Sequence, residues 1–191
     1  MDNDTNLSFQ EFVVSTRSTT LRGWHNEAWK AVHGKKNVED GRDFQFHFDQ
    51  DVGKLLIRMK KGTDKKHSIC YVLPKGECRF MVRVHAVKRL CGKRERPVSA
   101  EEMPAWIAQR MNGFAIRQEI TVSPLEWYPM DWGKGALATT LVTGQAVVTD
   151  ADQALATMSG GIGRARGFGL GMVILLPLAP SDQITGSSQA A

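Results

Sequence analysis

A glycine-rich segment near the C-terminus is the feature that most restricts how this chain can fold. Residues 159–176 have the sequence SGGIGRARGFGLGMVILL, in which two arginines lie among closely spaced glycines. Glycine allows positive φ and close approach of two backbones, and successive N–H groups in such turns can form an anion-binding nest. Guanidinium groups add planar, bidentate phosphate donors. The apolar residues that follow, 172–176, predict a buried strand.

The segment therefore predicts a loop that fits an extended phosphate backbone, and the candidate contacts are Gly161, Gly163, Arg164 and Arg166. The alternative is a mobile connection with two solvated arginines. A dinucleotide loop or a P-loop is excluded, because both need a strand before the glycines and a helix after them. Here the predicted order is reversed, and the Gly-Lys-Ser/Thr of a P-loop is absent.

Composition limits the class of protein. The chain has 191 residues, 42% of them apolar, which suits one large or two small domains. The net charge of +5 and the pI of about 9.2 fit a polyanionic partner. Three cysteines without CxxC spacing disfavour a disulfide framework and a zinc site, and indicate a reducing, cytoplasmic setting. No apolar run reaches the ~18 residues of a membrane span, and the polar N-terminus is unlike a signal peptide.

Local patterns predict the elements of the first part of the chain. A helix over 19–32 follows from Leu21, Trp24 and Ala28 at helical spacing. Strands are expected at residues 7–16, 44–48, 54–59, 67–73 and 79–90. No second helix is visible in this part.

The second part has clearer boundaries. A capping box, Ser99-x-x-Glu102, starts a helix that runs to about residue 112. A strand over 114–122, an aromatic loop over 123–135, a strand over 136–148, a short helix from 151 and the last strand follow. Strand, helix, strand, strand, helix, strand is the ferredoxin-like order that RRM domains share. We therefore expect an α+β chain of two tandem ferredoxin-like βαββαβ modules, the first degenerate, with boundaries 1–90 and 91–180 and a disordered tail over 181–191.

Three motifs, in this order along the chain, resemble the CRISPR precursor-RNA processing endoribonucleases of the Cascade type I-E class, the CasE family. The first helix carries His25-x-x-x-Trp29, where that family has its active-site histidine. Residues 42–47, RDFQFH, are similar to the family's RDF-x-(F/Y)-(H/R) strand entry. Residues 160–171, GGIGRARGFGLG, are similar to its closing loop.

The resemblance implies a tandem ferredoxin-like fold and a defined activity. The enzyme would cut CRISPR repeat RNA at the base of a stem-loop without a metal or another cofactor, leaving a 2′,3′-cyclic phosphate and a 5′-hydroxyl. It would stay on the hairpin beside the Cascade backbone subunits, meet target DNA only through that complex, and have no membrane partner.

Such chemistry needs a base for the 2′-OH, an acid for the leaving oxygen and positive charge for the phosphorane. His25 is the candidate base or acid, since histidine titrates near neutral pH. Arg22 stands where the family often has a tyrosine, and could stabilise the phosphorane by charge. Lys30 is a candidate second cation. His47 is expected on the exposed face of its strand, and His85 could meet RNA.

Basic residues at the junction of the two parts predict an RNA groove flanked by phosphates. They are Lys88, Arg89, Lys93, Arg94 and Arg96, with Arg117 on the adjacent strand. The aromatic loop, with Trp127, Tyr128 and Trp132, could stack on a base or simply pack.

Three alternatives are considered. A small-molecule or metal-binding ferredoxin-like protein is opposed by the absence of ligand clusters in the sequence. A hairpin-binding subunit of the same fold without catalysis is favoured by Arg22 and opposed by His25. A single-stranded RNA binder of the RRM type would need stacked aromatics on its central strands, which residues 114–120, FAIRQEI, do not supply.

Overall fold

The computed structural model describes residues 9–34, 43–59, 69–71, 73–74, 76–90, 95–117, 120–131, 133 and 135–178. Two antiparallel sheets of the ferredoxin-like type follow one another along the chain, and a separate two-stranded hairpin lies within the C-terminal half. The expected tandem ferredoxin-like fold is confirmed. The expected tail over 181–191 lies outside the described residues.

The N-terminal sheet has the strand order β2-β3-β1-β4 and is packed against one helix. Its elements are β1 (Phe9–Ser15), α1 (Leu21–His33), β2 (Phe44–Asp49), β3 (Lys54–Met59) and β4 (Ile69–Tyr71). This is the ferredoxin-like order with the first strand inside the sheet. The segment 60–68, where a second helix would belong, is not among the described residues.

The C-terminal sheet has the order β10-β11-β5-β12, and the short strands β8 and β9 also pair with β11. Its elements are β5 (Glu77–Val84), α2 (Met103–Ala108), β8 (Phe114–Ile116), β9 (Thr121–Val122), β10 (Glu126–Pro129), β11 (Ala136–Val148), α3 (Ala151–Gly160) and β12 (Ile174–Pro177). Between β5 and α2 lies the hairpin of β6 (Val87–Arg89) and β7 (Glu95–Pro97).

The expected boundary between residues 90 and 91 is wrong. Strand β5 pairs with β11 and β12, so it is the first strand of the C-terminal sheet. The single strand expected over 79–90 is divided at His85 and Ala86, where the chain leaves the sheet to form the hairpin. Sequence alternation continued across this break and did not reveal the change of sheet. The aromatic segment expected as a loop contains β10, which pairs with β11.

Strand β2 differs from expectation in a way that matters for the site. All of Phe44–Phe48 is buried, including Gln45 and His47 at 7% and 8% exposure. The three phenylalanines face Trp24 and the rest of the α1 core. The opposite face is covered by the C-terminal half, since Gln45 Nε2 donates to the Ser159 carbonyl oxygen at 2.6 Å. His47 therefore does not lie on an exposed face.

Arg58 on β3 extends the same contact between the halves. Its side chain is 2% exposed, forms an ion pair with Glu11 at 2.6 Å, and donates to the Val173 carbonyl oxygen at 2.7 Å. A buried guanidinium needs such partners, because an unpaired charge in the interior is strongly unfavourable. The two sheets are thus held together by buried polar contacts as well as by apolar packing.

Candidate RNA-processing site

Helix α1 gives His25 a fixed position. Thr20 caps the helix by accepting a hydrogen bond from the Gly23 N–H at 3.1 Å. Trp24 stacks on Phe48 with ring centroids 4.0 Å apart and donates through Nε1 to the Ser18 carbonyl oxygen. Because Trp24 is fully buried and precedes His25 directly, the imidazole emerges at the border of the core and is half-buried.

The imidazole contacts the glycine-rich loop 142 residues further along the chain. His25 Nδ1 lies 2.7 Å from the Gly167 carbonyl oxygen, and the His25 and Phe168 rings are 6.1 Å apart. A carbonyl oxygen can only accept, so Nδ1 carries the hydrogen. In the neutral ring Nε2 is then the basic nitrogen, which suits proton abstraction. The structure thus joins two of the segments that the sequence singled out.

Backbone hydrogen bonds hold the glycine-rich loop in place. The Ile162 N–H donates to the Gly171 carbonyl oxygen at 2.8 Å, and the Gly171 N–H donates to the Arg83 carbonyl oxygen at 2.7 Å. A single 3₁₀ turn, Arg166–Phe168, follows Ala165, whose φ is +56°. These bonds argue against a solvated connection.

The two glycines predicted to bind RNA have conformational and packing roles in this loop. Gly161 has φ +68° and donates its N–H to the Thr157 carbonyl oxygen, which ends α3. Gly163 has φ +75°, and a Cβ there would lie 3.0 Å from the Trp106 ring. An anion nest at Gly161 would have to compete with this helix cap.

The cations predicted at the active site occupy different positions. Arg22 is 55% exposed and forms an ion pair with Asp131 at 3.2 Å. Lys30 is exposed and follows His25 by five residues, which places it about 140° further round the helix. The structure therefore does not bring Lys30 to the His25 side of α1.

Both arginines of the loop are exposed and partnered. Arg164 pairs with Glu95 on β7, and its backbone forms a bridge with His85. Arg166 donates from Nη1 to the Gly160 carbonyl oxygen at 2.8 Å. The loop therefore contacts α1 on one side and the β6–β7 hairpin on the other.

Part of the predicted RNA groove lies on that hairpin. Lys88 and Arg96 both bind the Glu102 carboxylate, each with a closest contact of 2.7 Å, and their presence holds the pKa of Glu102 well below its usual range, with Arg96 the larger cause. Glu102 also bonds Ser99 as the capping box predicts. Arg89 is exposed, whereas Lys93 and Arg94 lie outside the described residues.

Arg117 is separated from this group. Its N–H donates to the Gln145 carbonyl oxygen, while His85 Nδ1 bonds the Ala138 carbonyl oxygen on the same strand. Seven residues of strand correspond to roughly 23 Å. Arg117 thus lies toward the other end of β11.

Sequence reasoning missed Arg110, which lines a cavity of about 390 Å³ together with His85, Trp106, Arg164 and Arg166. Its guanidinium lies over the Trp106 ring, 4.1 Å from the centroid. The signal was present, because an aromatic residue and an arginine four positions apart share a helix face. This cavity places a third arginine beside the loop.

The two described aromatic side chains of the aromatic segment differ in their surroundings, since Tyr128 is packed and Trp127 is exposed. Tyr128 packs edge-on against Phe48 and donates to Glu126 at 2.7 Å, and burial, together with that carboxylate, raises the pKa of Tyr128 to about 12. Trp127 is 63% exposed. Trp132 lies outside the described residues.

Among the described residues, no group of three or more His, Cys, Asp or Glu side chains could hold a metal ion. Nor does any helix in those ranges have the length and apolar character to cross a bilayer.

A family model described as CRISPR associated protein matches residues 63–177, which is more than half of the chain. The chain belongs to this family. A comparison with curated proteins finds no match.

Solved structures of CRISPR associated proteins share the fold. The CRISPR endoribonuclease Cse3 bound to 19-nucleotide RNA matches with a TM-score of 0.69 at 20% identity, over 90% of this chain and 100% of that chain. Thermus thermophilus Cse3, bound to an RNA representing a pre-cleavage complex, gives 0.71 at 19% identity, over 89% and 98%. Cas6e from Escherichia coli str. K-12 gives 0.64 at 19% identity, over 90% and 100%. At these identities the likeness establishes the fold.

Proposed function

We propose that this CRISPR associated protein is an endoribonuclease that processes CRISPR repeat RNA and keeps its product. The observation that carries the proposal is the contact between His25 Nδ1 and the Gly167 carbonyl oxygen. It places a histidine of fixed tautomer against a loop that bears two exposed arginines. Structures of the same fold that contain RNA, those of Cse3, add support.

In the proposed reaction, His25 Nε2 takes the proton of the 2′-hydroxyl on the nucleotide before the scissile phosphate. The 2′-oxygen attacks phosphorus, the bond from phosphorus to the 5′-oxygen breaks, and the products are a 2′,3′-cyclic phosphate and a 5′-hydroxyl. The leaving oxygen takes a proton from the imidazolium or from water. No metal or other cofactor takes part in this scheme.

Arg22 is proposed to stabilise the charge of the phosphorane. For this its guanidinium would exchange Asp131 for the phosphate, and its 55% exposure supports such access. Lys30 is retained only as a peripheral cation, since it lies on another side of α1. The exposed Arg164 and Arg166 would hold phosphates beside the cleavage site.

Retention of the product is proposed to depend on the hairpin. Lys88, Arg89 and Arg96 project from it, and Lys93 and Arg94 lie in its connecting segment. Cations on a narrow hairpin fit a groove flanked by phosphates, so binding should weaken steeply with salt. Type I-E Cascade backbone subunits are the proposed protein partners, supported by the match to an RNA-guided surveillance complex at TM-score 0.59 and 16% identity.

The test is cleavage of a labelled repeat stem-loop in the presence of EDTA, with His25→Gln compared with His33→Gln. His33 lies on the same helix and pairs with Asp43 at 3.3 Å, so it controls for loss of a histidine from α1. We expect His25→Gln to lower the cleavage rate by at least about a hundredfold, the usual contribution of general acid–base catalysis, with binding unchanged. Equal rates in the two variants would contradict the role of His25.

The same assay separates the alternative function. A hairpin-binding subunit without catalysis would bind the stem-loop tightly and leave it uncut, and cleavage gained by Arg22→Tyr would then assign the loss of activity to Arg22. Cleavage that EDTA abolishes would contradict the metal-independent mechanism.

A further inference from the structure

A second cavity, of about 470 Å³, lies where α3, the glycine-rich loop and β2 meet. Its lining includes Phe44, Gln45, Gly160, Arg166, Gly167 and Phe168. The scheme above assigns no role to Gln45. The cavity is nevertheless adjacent to the proposed catalytic centre, because Gly167 both lines it and accepts the hydrogen bond of His25.

Gln45, which lines this cavity, carries an unsatisfied acceptor. The residue is 7% exposed, and its Nε2 donates to the Ser159 carbonyl oxygen at 2.6 Å. That oxygen can only accept, so the orientation of the amide is determined and Oε1 is the atom left over. Oε1 is buried and has no hydrogen-bond partner. A buried acceptor without a donor is unfavourable, so a ligand that supplies an N–H would gain from binding here.

The other walls suit a nucleotide. Phe168 is half-buried, so part of its ring remains accessible in the cavity for stacking with a base. Arg166 uses one of its five N–H donors on the Gly160 carbonyl oxygen, and its exposed guanidinium is suited to a phosphate. The volume falls in the range of small-ligand pockets and is ample for one base.

We infer that this cavity binds a nucleobase with an exocyclic amino group, from an unpaired nucleotide next to the scissile phosphate, and that Gln45 Oε1 accepts a hydrogen bond from that amino group. The inference rests on the proposed function, because it assigns the base to the RNA that His25 would cut. Adenine, guanine and cytosine carry such a group and uracil does not, so Gln45 would be a specificity-determining residue.

The experiment uses the full chain and a repeat stem-loop. At each unpaired nucleotide within two positions of the scissile phosphate, the base is replaced by its analogue without the amino group. The analogues are purine for adenine, hypoxanthine for guanine and pyrimidin-2-one for cytosine. Affinity and cleavage rate are measured for the unmodified protein, for Gln45→Met and for Gln50→Met. Gln50 is exposed in the turn after β2 and controls for the substitution itself.

We expect one position at which loss of the amino group lowers affinity or rate about tenfold for the unmodified protein and for Gln50→Met, as one lost hydrogen bond to a buried acceptor predicts. Gln45→Met should treat the two RNAs alike at that position. Circular dichroism reports whether Gln45→Met is folded, and if it is not, the analogue series on the unmodified protein decides alone.

Indifference of the unmodified protein at every flanking position would overturn the base site while leaving the nuclease intact. Full discrimination by folded Gln45→Met would overturn the role of Gln45. If the protein neither bound nor cut any repeat RNA, the proposed function itself would be wrong, and the base site with it.

Discussion

Strand β2 lies at the edge of its sheet and β5 in the interior of the other, yet the edge strand is the more buried. In β2 five successive residues are buried, whereas β5 alternates between buried residues and more accessible ones. The reason is the partner on each face. Helix α1 covers one face of β2, and the end of α3 with the glycine-rich loop covers the other. Contact between the halves, and not position in the sheet, therefore determines burial.

The same contact explains which residues on β2 and β3 are polar. Gln45 and Arg58 face the C-terminal half and bond backbone carbonyl oxygens of Ser159 and Val173. The corresponding face of β5 carries Arg79, Met81 and Arg83, whose side chains are not fully buried. Substitutions at the contact between the halves should therefore lower stability more than substitutions at exposed positions.

The largest effect is expected at Arg58. Arg58→Met removes the partner of the Glu11 carboxylate and the bond to Val173, and breaking such a buried pair costs about 3–5 kcal/mol of unfolding free energy. Arg89→Met, on exposed β6, should change it by less than about 0.5 kcal/mol. Urea unfolding followed by far-UV circular dichroism measures both. A loss below 1 kcal/mol for Arg58→Met would mean that the halves do not depend on this contact.

A somewhat smaller loss of unfolding free energy is expected from a substitution in the glycine-rich loop, which covers β2. At Gly171 φ is +81°, and a Cβ would lie 2.0 Å from the Ile162 carbonyl oxygen. Gly171→Ala should therefore cost about 3 kcal/mol, from the left-handed backbone and from overpacking together. Gly133 has φ +75° with open space around it, so Gly133→Ala isolates the backbone term, about 1 kcal/mol. Equal losses in the two variants would show that the loop does not pack closely.

The smallest effect depends on pH. Burial, with a further contribution from Arg83, lowers the pKa of His47 to about 4, below its ordinary 6.5. Its stabilising contribution is therefore complete above pH 6.5 and is lost as the pH falls toward 4, because the unfolded chain takes up the proton first. Between pH 7.5 and pH 5 this amounts to about 2 kcal/mol.

Urea unfolding of the unmodified protein and of His47→Leu at both pH values isolates this component. The unmodified protein should lose about 2 kcal/mol more than the variant over that interval. Equal losses of unfolding free energy in the unmodified protein and in His47→Leu would mean that His47 is in contact with solvent, as its alternation with phenylalanines had suggested.

Several elements could be predicted because their signals are local. Leu21, Trp24 and Ala28 at helical spacing were enough to predict α1, and the long strand predicted over 136–148 has the bounds of β11. The hydrogen bonds between Ser99 and Glu102 are present as the spacing predicted, but α2 begins only at Met103, after Glu102, and ends at Ala108 instead of near residue 112. Each of these depends on residues within a few positions of one another.

The failures share one physical cause. Alternation over 79–90 says that a segment is a strand, but not which sheet it joins, so β5 was assigned to the wrong half. His47 looks solvent-facing in sequence because only the C-terminal half covers the second face of β2. Gln45 on that face bonds Ser159, 114 positions away, and His47 lies near Arg83 of β5. Arg117 shares its charge with the hairpin cations but not their location.

The sequence by itself determined both halves' main helices and strands, the positive charge over residues 88–96, and the histidine and glycine-rich loop as separate candidates. Only the tertiary structure decided that these two meet, that Lys30 lies on another side of α1, and that Gln45, whose amide oxygen is buried without a partner, lines the cavity beside them. Local patterns predict which side chains of a helix or strand are buried in the core of its own half. The docking of one half on the other is set by shape and by polar partners that are distant in sequence, which no local pattern contains.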